Sequence, residues 1–159
     1  MVLAAACSHA DEGARATAQP RPAISLDQAR QVLTRFQDIN NRANAARDAR
    51  LISTIEAGAG LRESLSAYKV TEALKAPKSK AFTYDSPAFY VPKVVGFPKW
   101  FAVHGTVGKG KRRGHGTLVF EQRTAGAAWL RTAGPDLLKG HLRPLPVALG
   151  PDGYATAVP

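Results

Sequence analysis

Residues 82–107 read FTYDSPAFYVPKVVGFPKWFAVHGTV, and this stretch decides the fold. Seven of the twelve aromatic residues lie between Phe82 and Phe101. Each large ring removes a large apolar area from water, so a core is expected to form around them. Pro87, Pro92 and Pro98 forbid a helix through the run. Extended chain is what remains, with a short strand over Ala88–Pro92 and a longer one over Trp100–Val107. Side chains alternate along the second strand. Trp100, Ala102, His104 and Thr106 share one face, and Phe101, Val103, Gly105 and Val107 share the other.

Upstream of this stretch the hydrophobic period changes from two to between three and four. Ser25 and Gln28 form an S-x-x-Q capping box. Leu26, Ala29, Val32, Leu33, Phe36 and Ile39 then make one apolar stripe, while Arg30, Arg35, Asp38 and Arg42 fall off it. The asparagine-rich segment Asn40–Asn44 is expected to weaken that helix. A bend follows near Ala45–Asp48. Leu51, Ile52 and Ile55 form a short second helix that Gly58 and Gly60 end. A third helix is expected over Leu61–Leu74, stopped by Pro77.

Downstream, Gly108–Gly116 (GKGKRRGHG) reads as a long hairpin loop between strands. Thr117–Arg123 is the returning strand and Ala127–Thr132 a third. Pro135–Leu142 has room for one helical turn. Two short strands, Leu145–Leu149 and Tyr154–Val158, flank the turn at Pro151–Gly153. Helices first and antiparallel strands afterwards indicate an α+β fold, with the helices on one side of a curved sheet. The expectation is that Phe36, Trp100 and Phe101 are enclosed together beneath the helical cover.

A chain of 159 residues suits one domain with a real core. The domain is expected to occupy residues 25–159. No apolar run reaches the length of a membrane-spanning helix. Net charge is +10, which favours contact with anionic surfaces, while the plain and preferred reading is a solvated basic face. The single cysteine, Cys7, excludes an internal disulfide.

Residues 1–24 read differently from the rest. Met1–Ser8 (MVLAAACS) resembles the end of a bacterial lipoprotein signal, the lipobox, in which small residues precede the cysteine that becomes lipidated. Ala4 stands where Leu, Val or Ile is commoner, and Leu3 is one residue early. By that resemblance Cys7 is the lipid anchor. Ser8–Ala23, rich in Ala and carrying Pro20 and Pro22, reads as a linker holding a domain off a membrane surface.

The segments SLDQARQVLTRFQDINNRANAARDARLISTIEAG and YDSPAFYVPKVVGFPKWFAV resemble an uncharacterised domain of actinobacterial lipoproteins. Phe89-Tyr90-Val91-Pro92 and Gly96–Val103 carry the specific part. The order of elements is similar to the cone-shaped fold of the nuclear transport factor and cystatin-like group, with Arg47-Asp48-Ala49 at the second helix. The resemblance implies an extracytoplasmic, membrane-anchored location, and it implies that the chain is a fragment lacking its full signal and C-terminal part. It implies no activity, because fold and function separate readily.

Several constellations bear on chemistry. Gly105, Gly110 and Lys111 match the G-x4-G-K spacing of a phosphate loop. Arg112 replaces its Ser or Thr, and a strand rather than a helix follows, so the cradle of helix N-terminal amides is missing. Lys109, Lys111, Arg112 and Arg113 would attract phosphates or lipid headgroups. No interleaved aromatic accompanies them for base stacking, and the plain alternative is a charged tip that keeps a sheet edge soluble. Cone folds of this group often enclose a pocket. The polar candidates for it are His104, with Asp48, Glu63 and Tyr68 from helices; the plain alternatives are a strand histidine and an aspartate capping its own helix. His9, His104, His115 and His141 show no metal spacing, a G-x-S-x-G motif is absent and no cofactor is implied. Three readings follow: a non-catalytic domain binding a partner or small ligand at the cell envelope, a small enzyme using His104 and a helix carboxylate, and a nucleic-acid binder through Lys109–Arg113.

Overall fold

The capping box forms as read. Ser25 Oγ accepts from the Gln28 amide at 3.2 Å, and the Ser25 amide donates to Gln28 Oε1 at 3.3 Å. It opens α1 (Leu26–Ala46), whose buried residues Ala29, Leu33, Phe36, Asn40 and Ala43 recur at steps of three and four. The structure, a computed structural model, describes residues 18–107, 114–134 and 147–156.

The helix runs unbroken through Asn40–Asn44, against the expectation from composition. Asparagine disfavours helices because its side chain competes for nearby backbone groups. Here two of those side chains are engaged elsewhere. Asn41 brackets the Phe82 backbone, donating to its carbonyl at 2.8 Å and accepting from its amide at 3.1 Å. Asn44 Oδ1 accepts from the Tyr68 hydroxyl at 2.7 Å. The expected bend comes at Arg47, left-handed at φ 53°. The guanidinium of Arg47 ties this corner to Thr71 Oγ1 and to the Ala76 carbonyl. Asp48 then caps the one-turn α2 (Ala49–Ile52).

Gly58 and Gly60 open a helix rather than end one. They belong to α3 (Gly58–Ala73). A Cβ at Gly60 would meet the Arg131 and Thr132 backbone at 3.2–3.3 Å. The glycine is there so that α3 can lie directly on a strand.

The strands are β1 (Arg21–Pro22), β2 (Tyr84–Tyr90), β3 (Lys93–Val94), β4 (Lys99–Val107), β5 (Gly114–Gln122) and β6 (Leu130–Ala133). Four of them form an antiparallel sheet in the order β2-β4-β5-β6, and β1 pairs with β3 apart from it. The strand expected over Ala88–Pro92 starts earlier, at Tyr84. Its register shifts between Asp85 and Ala88, where Ser86 has φ 49°. This irregularity on an edge strand accommodates Pro87, which has no amide to give the ladder. Gly114–Gly116, expected in the loop, are paired in β5. The third strand begins at Leu130 rather than Ala127. Near the Pro151–Gly153 turn the described residues show isolated bridges, Leu149 to Ala155 and Pro92 to Ala155, instead of two strands. Pro135–Leu142 lies outside the described residues.

Helices cover one face of the sheet. Phe101 and Phe120, paired across β4 and β5, stack at 5.0 Å. Phe36 of α1 meets Phe120 edge-on at 5.4 Å, and Trp129 meets Phe101 at 5.1 Å. Trp100 is not enclosed with them: it is 43% exposed, and Phe97 is 41% exposed. Alternation along β4 commits neighbours to opposite faces, so Phe101 facing α1 sends Trp100 to the other side.

Candidate functional site

Between the second half of α1, α3 and the sheet lies a cavity of about 290 Å³. Phe36, Asn40 and Asn44 line it from one face of α1, and Arg47 from the corner that follows. Glu63 and Tyr68 line it from α3, Tyr84 from β2, Leu118 from β5 and Arg131 from β6. Gly105 and Gly116, direct partners across β4 and β5, carry no side chains and so leave room for the Tyr84 ring. The Tyr84 ring lies over both; a Cβ on Gly116 would come within 2.8 Å of its hydroxyl.

The polar wall is built on Arg131, which is nearly buried. Its Nη1 donates to Glu56 Oε1 at 2.7 Å and its Nη2 to Glu63 Oε2 at 2.8 Å. Burial disfavours the charged guanidinium, but the two carboxylates outweigh it and hold the Arg131 pKa above its usual value. With one cation between two anions, this wall has no spare positive charge for a phosphate. The Tyr68 hydroxyl is pushed up to about 12, chiefly by burial and then by the charges of Glu56 and Asp48. It therefore stays a phenol at neutral pH and donates to Asn44. Asn40 is 4% exposed, and its Nδ2 has no hydrogen-bond partner. A buried amide donor left unmade is costly, and this one belongs to a residue that lines the cavity.

The structure separates the residues singled out from the sequence. Glu63 and Tyr68 line the cavity. Asp48 Oδ1 accepts from the Arg50 and Leu51 amides, both at 2.9 Å, and so caps α2. His104 is buried on the opposite face of the sheet, with Nδ1 3.0 Å from Thr117 Oγ1 and its ring stacked on His115 at 5.3 Å. Burial, then the neighbouring His115, lowers its pKa. No carboxylate is among its hydrogen-bond partners. Cys7, His9, Lys109, Lys111, Arg112, Arg113 and His141 lie outside the described residues. Among the described residues no three His, Cys, Asp or Glu side chains gather as metal ligands.

Asn40, Glu56 and Arg131 were not singled out from the sequence. Glu56 and Arg131 are 75 residues apart and read individually as solvated charges. Asn40 did leave a signal, since it continues the 29-33-36 stripe as a polar residue at an apolar position.

No helix among the described residues is long and apolar enough to cross a membrane. Over 144 residues the chain is 39% identical to an uncharacterised lipoprotein of Streptomyces coelicolor. That match covers 87% of this chain but 40% of the relative, so the chain spans well under half of that protein's length. Residues 20–159 match a family model of unknown function, and this chain belongs to the family described as Domain of unknown function (DUF8094).

Proposed function

We propose that this chain is a ligand-binding, non-catalytic domain of a lipid-anchored envelope protein, tethered through Cys7 with the residues before β1 as signal remnant and linker. Arg21–Ile24, expected in that leader, belong to the body, since Arg21 and Pro22 pair with β3 and Ala23 and Ile24 are buried. The Streptomyces relative is a lipoprotein by name, and MVLAAACS offers the cysteine. Three helices over one face of an antiparallel sheet, with a cavity between them, support the cone-shaped architecture.

One observation carries the binding role: the unpartnered Asn40 amide in the wall of a 290 Å³ cavity. That volume sits at the lower edge of small-molecule sites. Arg131 is neutralised by Glu56 and Glu63, and Arg47 is held by Thr71 Oγ1 and the Ala76 carbonyl, which favours binding an oxygen-bearing molecule over proton transfer. Two measurements test this reading. Radiolabelled palmitate should enter the full-length protein, in a globomycin-sensitive way, and be lost with membrane association in Cys7→Ala. Native mass spectrometry of protein extracted from its own membranes should show a small-molecule adduct that Ala67→Phe, which fills the cavity, removes. A label that persists in Cys7→Ala refutes the anchor, and a bare mass in the parent refutes the ligand.

A further inference from the structure

We propose that the tip Val94–Trp100, with Arg21 and Lys93 beside it, docks on the surface of an anionic phospholipid bilayer. Six large hydrophobic residues are exposed among those described, and Val95, Phe97 and Trp100 account for three of them within one turn of chain. A fourth, Leu149, bridges to Ala155, which also bridges to Pro92 at the foot of the tip. Val95 is 57% exposed, which is costly in water for a contiguous patch. The tip also carries cations. Lys99 Nζ sits 5.3 Å from the Phe97 ring centroid, Arg21 is exposed opposite Val94, and Lys93 neighbours it. Among the described residues the acids at this end are Asp152, paired with Lys93, and Glu121, opposite Trp100 and paired with Arg123. Four cations against two anions leave the end positive. Aromatic rings beside lysines are the side chains that settle at headgroup depth, where one end of each group is apolar and the other wet.

The path of the chain points the same way. Arg21 pairs with Val94, and Ala18, Gln19 and Arg21 line a groove with Val94, Val95 and Lys99. Cys7 lies fourteen residues before Arg21, so extended chain between them spans at most about 50 Å. For this placement the inference rests on the proposed anchor, which would keep the tip within reach of the bilayer. The tip is at the Lys99–Gln122 end of the β4–β5 pair, whereas Val107 pairs with Gly114 at the other end. Nine residues of strand put about 30 Å between these ends. Tyr84 of the cavity pairs with Val107. Docking by the tip therefore holds the cavity at the end away from the lipid. Val107 and Gly114, which flank Lys109–Arg113 in the sequence, are at that same far end.

The test uses the Cys7→Ala chain, which has no lipid of its own. It should sediment with vesicles of equal parts phosphatidylglycerol and phosphatidylcholine, but not with phosphatidylcholine alone. Brominated lipid should quench its tryptophan fluorescence, and Trp100→Phe should abolish the quenching while still binding. Phe97→Ser and Trp100→Ser should each weaken the partition ~10-fold, with unchanged circular dichroism. Neutralising Lys109, Lys111, Arg112 and Arg113 should leave the quenching in place. The proposal is overturned if the parent ignores anionic vesicles, if the tip variants bind like the parent, or if only the Lys109–Arg113 variant loses binding. It is also overturned if the tip proves to join two copies of the chain, seen as a lipid-free dimer that Phe97→Ser dissolves. Failure of palmitate labelling would remove the anchor and leave these vesicle results to stand or fall alone.

Discussion

Arg131 grips two carboxylates at nearly the same distance, 2.7 Å for Glu56 and 2.8 Å for Glu63, yet the two differ in burial. The Glu56 side chain is fully buried, and that of Glu63 is 59% exposed. Two unit charges ~4 Å apart attract by roughly 4 kcal/mol near a protein surface and by about 1 kcal/mol in water. Glu56→Gln leaves Arg131 buried without its enclosed partner and should cost about 3–5 kcal/mol. Glu63→Gln removes a solvent-screened pair and should cost about 1 kcal/mol or less. In a domain of this size that corresponds to a melting shift of roughly 10–15 °C against a few degrees. Urea unfolding at neutral pH, followed by the fluorescence of Trp129 against Phe101, measures both losses. Arg131→Met should likewise be more damaging than Arg131→Met with Glu56→Met, because the single change strands a buried carboxylate. Equal losses for the two glutamine variants, or a larger loss at Glu63, would refute the idea that burial rather than distance ranks these pairs.

The adjacent rings of β4 offer a second contrast. Phe101→Ala, fully buried between Phe120 and Trp129, should cost about 3–5 kcal/mol, whereas Trp100→Ala, on the open face, should stay within about 1 kcal/mol in chemical denaturation. His104 has a folded pKa below its ordinary 6.5, so the unfolded chain takes up its proton first as pH falls. Stability is fully present above pH 6.5 and falls as pH drops through 6.5 towards the folded pKa. Melting temperatures in that window should fall further for the parent than for His104→Gln, and parallel curves would contradict this. Tyr68 shows the opposite sign: the folded state keeps a proton that the unfolded state releases, so its contribution is lost as pH rises from 10 to about 12. Absorbance titration should show a late phenol that Tyr68→Phe removes, and a curve that the substitution leaves unchanged would assign the shift elsewhere.

The N-terminal helix was legible almost to the residue because its signals are local. Ser25 and Gln28 satisfy amides three residues away, and the stripe through Phe36 needs only helical geometry. Glycine was misread at Gly58 and Gly60 because one residue type serves two purposes. It ends helices by tolerating positive φ, and it also lets backbones touch, as Gly60 does against Arg131 and Thr132. The asparagines of α1 were misread since their partners, Phe82 and Tyr68, are distant in the chain.

The sequence by itself determined the α+β class, the helix start at Ser25 and the two-sided character of β4, all of which follow from repeats of two or about four residues. Family membership also follows from the order of residues. Only the tertiary structure decided which side of β4 the helices cover, and with that the enclosure of Phe101 and the exposure of Trp100. It alone brought Glu56, Glu63 and Arg131 together and left the Asn40 amide unpartnered beside a cavity. The reason is physical: period and capping are properties of neighbouring residues, whereas burial and charge pairing depend on which distant surfaces meet.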